Sequence, residues 1–128
     1  MKFWKFEIPT EQQLDALVAM GELPPPVAVA GLSNTYDDIA RKLRPGDGVV
    51  LGKLKGEEGK IVAFGKVRKV GSTPNCIEIQ WAKASQDVFP TGSGLTHWQT
   101  KTAFEISSQP AERYGLRRFI DFHIKDGT

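Results

Sequence analysis

From Lys2 to Ile8 the chain interleaves large apolar residues with charge (Phe3, Trp4, Lys5, Phe6, Glu7), a pattern that predicts a strand ended by Pro9. Leu14, Leu17 and Val18 fall on one helical face. Thr10 and Gln13 form a capping box ahead of them, and Gly21 supplies the stop. Pro24, Pro25 and Pro26 force an extended run that leads into a short strand, Val27-Ala28-Val29. A second helix is predicted from an N-cap at Thr35, with Asp38 in the capping-box position, through Arg44. Asp37 and Asp38 in its first turn and Arg41, Lys42 and Arg44 in its last suit the helix dipole. Pro45-Gly46-Asp47-Gly48 then turns the chain.

Strand patterns dominate the rest. Val49 to Leu54 reads as a strand, Lys55 to Lys60 as a polar turn, and Ile61 to Val70 as a long strand that Gly65 bends or bulges. Gly71 to Asn75 is a loop, after which Ile77, Ile79 and Trp81 share one strand face. Pro90 to Gly94 reads as a flexible loop and Trp98 to Ile106 as extended. Pro110 suits the first turn of a short helix through about Arg118, and Ile120, Phe122 and Ile124 alternate in a last strand. Six or seven short strands with tight turns predict an α+β fold. The expectation is a small, largely antiparallel β-barrel with two to three flanking helices, formed as a single domain by residues 1–128.

A chain of 128 residues is long enough to bury one core without staples. Cys76 is the only cysteine, so no internal disulfide forms, and one Cys with two His (His97 and His123) is a poor basis for a zinc site. Neither a metal nor another cofactor is expected. The start of the chain lacks the apolar core of a signal peptide, and Leu23 to Leu32 is too short and proline-rich to span a bilayer. A cytoplasmic location without membrane contact is the expectation.

The net charge of +2 is uninformative, but its distribution is uneven. Residues 1–40 carry −4 and residues 41–69 carry +6. The basic quarter suits a phosphate backbone held on one face. It equally suits a solvated hairpin whose lysines guard an edge strand against aggregation. Gly92-Ser93-Gly94 is not read as a nucleophile elbow, because the pattern predicts no strand-to-helix turn around it. Gly46-Asp47-Gly48 opens no helix and so makes no phosphate loop. The residue set of a metal or nucleophile enzyme is missing.

The stretch Ser33-Asn34-Thr35-Tyr36-Asp37-Asp38-Ile39-Ala40-Arg41-Lys42-Leu43-Arg44-Pro45-Gly46-Asp47-Gly48-Val49-Val50 resembles the PUA-like superfamily, and within it the EVE and YTH type of domain. Ile61 to Val67 and Ile77 to Trp81 resemble the next two barrel strands, so that the likeness spans roughly residues 2–82. The resemblance implies a reader of modified or flipped bases in DNA or RNA, with the base held in an aromatic-lined pocket. It places Ser33 and Asn34 at the base edge. Trp4, Tyr36, Trp81 and Trp98 are the candidate ring walls, and Lys53, Lys55, Lys66, Arg68, Lys69, Arg117 and Arg118 the candidate phosphate contacts. Each has an ordinary alternative: Ser33 and Asn34 as turn residues, Trp81 as core.

The related ASCH group implies a different function, a small ribonuclease or amidohydrolase in which a Lys–Thr or Lys–Tyr–Glu constellation does acid/base work once burial lowers the lysine pKa; Lys53, Lys66 and Glu78 are the residues available for it. A protein-interaction module using the acidic first 40 residues is the third possibility. The sequence leaves the oligomeric state open.

Overall fold

The structure is a computed structural model that describes residues 2–7, 12, 14–23, 35–71 and 76–124. Five strands, β1 (Phe3–Glu7), β2 (Gly48–Lys55), β3 (Glu58–Lys69), β4 (Glu78–Val88) and β5 (Ala103–Ile106), form one sheet in the order β4-β3-β2-β1-β5. Every pairing is antiparallel except β1 with β2. The five helices are α1 (Leu14–Met20), α2 (Tyr36–Ala40), α3 (Gly92–Thr100), α4 (Ser108–Arg113) and α5 (Leu116–His123). The fold is therefore α+β with a mostly antiparallel sheet, and among the described residues β4 and β5 are its two ends. No described helix is long and apolar enough to cross a membrane.

Both faces of the sheet are covered at its centre, so β1 and the first five residues of β2 are buried without alternation, whereas β4 at the end of the sheet still alternates. On one face, α1 and α2 pack over Trp4, Phe6, Val49, Leu51, Ile79 and Trp81. On the other, α3, α4 and α5 pack over Phe3, Val50, Phe64, Phe104 and Ile106. Phe3 and Trp4 point to opposite faces, yet each meets a core. Trp4 is closed off at 2% exposed, whereas Phe3, at 9%, also lines a cleft on its face of the sheet.

Several local features follow the sequence pattern. Gly21 ends α1 at φ +67°, where its N–H donates to the Leu17 carbonyl at 2.9 Å. Gly56, at φ +66°, makes the β2–β3 connection a tight two-residue turn, shorter than the Lys55–Lys60 loop that the polar run predicts. Asp47 fixes the turn before β2. Its buried carboxylate accepts from the Trp4 indole N–H at 3.0 Å, the Arg44 N–H at 3.1 Å and the Lys2 N–H at 3.2 Å. One carboxylate thus ties the start of β1 to the end of the α2 segment.

Other expectations are corrected. Trp98 does not lie on an extended segment, because residues 92–100 form α3, so the Pro90–Gly94 stretch is a helix start. Ile120, Phe122 and Ile124 do not form a strand. Leu116, Ile120 and Ile124 recur every four residues along and just beyond α5, all three are buried, and Phe122 is 75% exposed. The helix proposed around Pro110 is two helices, broken where Gly115 takes φ +67°.

The helix after Thr35 ends at Ala40, a turn earlier than expected. Thr35 makes no side-chain cap; its hydroxyl instead exchanges hydrogen bonds with the main chain of Ala103. Register shifts flank Gly65 rather than fall on it, and a Cβ there would meet the Trp81 ring at 2.5 Å. Gly65 is thus the floor on which Trp81 rests. The described strands number five, and the Val27–Val29 strand lies outside the described residues.

Candidate functional site

The sheet separates the candidate rings. Trp4 is 2% exposed, and its indole N–H is committed to Asp47. Tyr36 packs edge-on against Phe6, with ring centroids 5.5 Å apart. Burial, followed by the charge of Asp37, pushes its phenol up to about 12. Trp81 is 8% exposed and donates to the Glu22 carbonyl at 2.8 Å. These three rings belong to the core under α1 and α2. Trp98, as buried as Trp4 at 2% exposed, belongs to the opposite core. One cavity cannot hold all four, and Ser33 and Asn34 lie outside the described residues.

The candidate cations are divided as well. Lys53 stands opposite Lys60 near the β2–β3 turn, with Lys55 two residues on. Lys66, Arg68 and Lys69 lie at the other end of β3, roughly 20 Å away by strand rise. Arg68 donates to the Gln80 side chain and, with Trp81, lines a shallow cleft beside α1. Glu78 pairs with Lys69 at that end, so Lys53 does not meet Lys66 and Glu78. Arg117 and Arg118 are exposed on α5.

The richest constellation lies under α3, α4 and α5. A cavity of about 270 Å³ is lined by His97, Trp98, Phe104, Tyr114, Gln109 and Arg113, among others. Its size is near the lower end for small-molecule sites. Trp98 meets Phe104 nearly perpendicularly at 5.9 Å, and His97 meets the same ring at 5.3 Å. Burial, then the neighbouring Lys101 charge, hold the His97 imidazole below the usual histidine range. At neutral pH it therefore offers one donor and one acceptor.

A larger cleft of about 890 Å³ adjoins this cavity and shares Glu105, Ile106, Ser107, Arg113 and Tyr114 with it. Its cations are Lys2, Arg113, Arg117 and Arg118, set against Glu105, Glu112 and Asp121. The sequence reading had two of these cations and one of the rings. His97 and Phe104 join them because residues 92–100 form a helix where the pattern predicts a loop and an extended run, and Arg113 and Tyr114 because α4 ends beside β5.

Behind the cavity wall lies Lys5. Its side chain is fully buried and forms an ion pair with Glu7, two residues along the same strand face. Its ammonium sits 5.0 Å from the Trp98 ring centroid and 5.7 Å from that of Phe104. Burial lowers the Lys5 pKa, and the Glu7 charge and hydrogen bond only partly oppose that. The sequence held one signal for this pair: a lysine flanked by aromatic residues, with a carboxylate at i+2. Among the described residues, no cluster of His, Cys, Asp and Glu is arranged to hold a metal.

No protein-family model matches the chain, and no curated protein matches it either.

Proposed function

We propose that this domain binds single-stranded or flipped-out nucleic acid, with a base in the aromatic cavity and its flanking phosphates in the adjoining cationic cleft. One observation carries the proposal. The cavity walled by Trp98, Phe104, His97 and Tyr114 opens, through shared residues, onto a cleft bearing Lys2, Arg113, Arg117 and Arg118. Rings that take any base face beside cations that take phosphate are the two parts such a site needs. Selection of a modified base belongs to the same proposal. So does the finer PUA-like, EVE-type barrel, supported by the order of α2, the Gly46-Asp47 turn and β2, and by the parallel β1–β2 pair. Thr35, which follows Ser33-Asn34 in sequence, is anchored on β5 one residue from Phe104.

The test is a fluorescence titration with short single-stranded oligonucleotides, plain and base-methylated, at low salt. Binding is expected to change tryptophan emission, to weaken as salt rises, and to weaken about tenfold or more in Trp98→Ala. Absence of saturable binding at low salt overturns the proposal.

One observation favours hydrolysis as an alternative, with Lys5 and Glu7 as the lysine and glutamate of the Lys–Tyr–Glu set that the ASCH likeness implies. Lys5 is a buried lysine whose ammonium is held against a carboxylate. Lys5 lies behind the cavity rings rather than on the cavity surface, which is why binding is the leading proposal. Cleavage of labelled RNA that disappears in Lys5→Met would favour hydrolysis.

A further inference from the structure

We infer that the outer edge of β5 supplies a main-chain reader for this site: the N–H and C=O of Glu105 hydrogen-bond the edge of the heterocycle that the cavity takes. The inference rests on the nucleobase proposal above and assigns its specificity.

The direction of these groups follows from the ladder. In an antiparallel pair, opposed residues alternate between those that exchange both main-chain bonds and those whose N–H and C=O point away. The Glu7 N–H donates to the Thr102 carbonyl at 2.7 Å, which sets the phase of the β1–β5 pairing. In that phase Lys5–Phe104 and Phe3–Ile106 are bonded pairs, whereas Phe6–Ala103 and Trp4–Glu105 are not.

Ala103 provides an independent check. Its N–H donates outward to the Thr35 hydroxyl at 3.0 Å, and its carbonyl accepts from the same hydroxyl. Two residues on, Glu105 presents the same two groups on the same side. There no described strand covers the edge, since β5 ends the sheet. Glu105 lines both the aromatic cavity and the cationic cleft. Its side chain takes the other face of the sheet, with Trp4, because Phe104 and Ile106 occupy the cavity face.

An extended residue sets its N–H and C=O side by side. That pair complements a ring edge in which a donor adjoins an acceptor, as in the N3–H and carbonyl of uracil or the amino group and N1 of adenine. Rings that grip the base face and a main-chain pair that reads its edge together define a pocket for a planar base with an unblocked pairing edge. The cations beside it favour a nucleic acid over an extended peptide, the other ligand an open strand edge can take.

The experiment compares uridine and adenosine hexanucleotides with their N3-methyluridine and N6,N6-dimethyladenosine counterparts, which block the donor and keep the phosphates. The proteins are the wild type, Glu105→Ala and Glu105→Pro. Proline removes only an N–H that the β1–β5 ladder does not use, and an edge strand tolerates it there. Wild type is expected to bind at least one parent oligomer about tenfold more tightly than its blocked form, the cost of one unsatisfied hydrogen bond. Glu105→Ala keeps the main-chain groups and takes one carboxylate away from the cleft, so it should bind the parent at least as tightly as wild type and keep the discrimination. Glu105→Pro should lose about tenfold on the parent and cease to discriminate.

If Glu105→Pro does not fold, the wild-type comparison of parent and blocked oligomers still decides. Saturable binding that ignores the blocking methyl groups overturns this inference and leaves the nucleic-acid proposal standing. An equal loss in Glu105→Ala also overturns it, by assigning the effect to the carboxylate. Absence of binding by any oligomer overturns both, and capture of an extended peptide in its place would identify β5 as a strand-addition edge.

Discussion

Replacing Lys5 by methionine removes one half of an ion pair in which the lysine side chain is fully buried and that of Glu7 is only 13% exposed. Methionine fills much of the same volume against Trp98 and Phe104, so the main loss is electrostatic: the Glu7 carboxylate keeps its desolvation and loses its partner. Breaking a buried pair from one side costs about 3–5 kcal/mol, and the residual exposure of Glu7 points to the lower figure, about 3 kcal/mol. For a domain of this size that corresponds to a fall in Tm of roughly 10 °C. The double variant Lys5→Met/Glu7→Gln removes both charges and should recover most of the loss, since apolar replacement of a whole buried pair is near neutral.

Urea titrations at neutral pH on wild type, Lys5→Met and the double variant check both expectations. A single variant as stable as wild type, or a double variant worse than either single one, would refute the assignment of Lys5–Glu7 as a buried pair.

Asp47→Ala leaves the Trp4 indole N–H and two main-chain N–H groups without their acceptor. A loss of about 3–5 kcal/mol is expected by urea unfolding, with Asp47→Asn losing less. Gly21→Ala would place a Cβ 2.9 Å from the Ile79 carbonyl oxygen at a positive φ, so a loss of about 1–3 kcal/mol is expected in the same assay. The protein has two tyrosines, Tyr36 and Tyr114, and both are raised above 10 by burial. Phenolate absorbance should therefore appear late, with the step near 12 missing in Tyr36→Phe. Because the folded state holds the Tyr36 proton longer, its contribution to stability is present below pH 10 and is lost as pH rises through about 12.

The middle of the fold was legible because β2, β3 and β4 carry apolar runs bounded by glycine turns, signals that need no tertiary context. The second half was not. Leu95 and Trp98 stand three apart among Thr, His and Gln, too sparse a helical stripe to compete with the β-branched and aromatic content nearby. In α5 the residues Ile120, Phe122 and Ile124 satisfy a two-residue period, and Leu116, Ile120 and Ile124 a four-residue one. Only the core beneath Phe64 decides between them, where Phe119 stacks at 4.3 Å. Of the candidate site, Trp98, Arg117 and Arg118 were found from their chemistry. Arg113, Tyr114 and the edge of β5 were not, since their value lies in which strand ends the sheet.

The strand nearest the start of the chain is an interior one. β1 is flanked by β2, which begins at Gly48, and by β5, where Phe3 meets Ile106. During synthesis, then, β1 must wait for about a hundred further residues before β5 covers its second edge. Folding is late and depends on contacts far apart in sequence, the kind that form slowly. Until then Phe3, Trp4 and Phe6 stay unprotected beside an open strand edge, an aggregation-prone surface on the nascent chain.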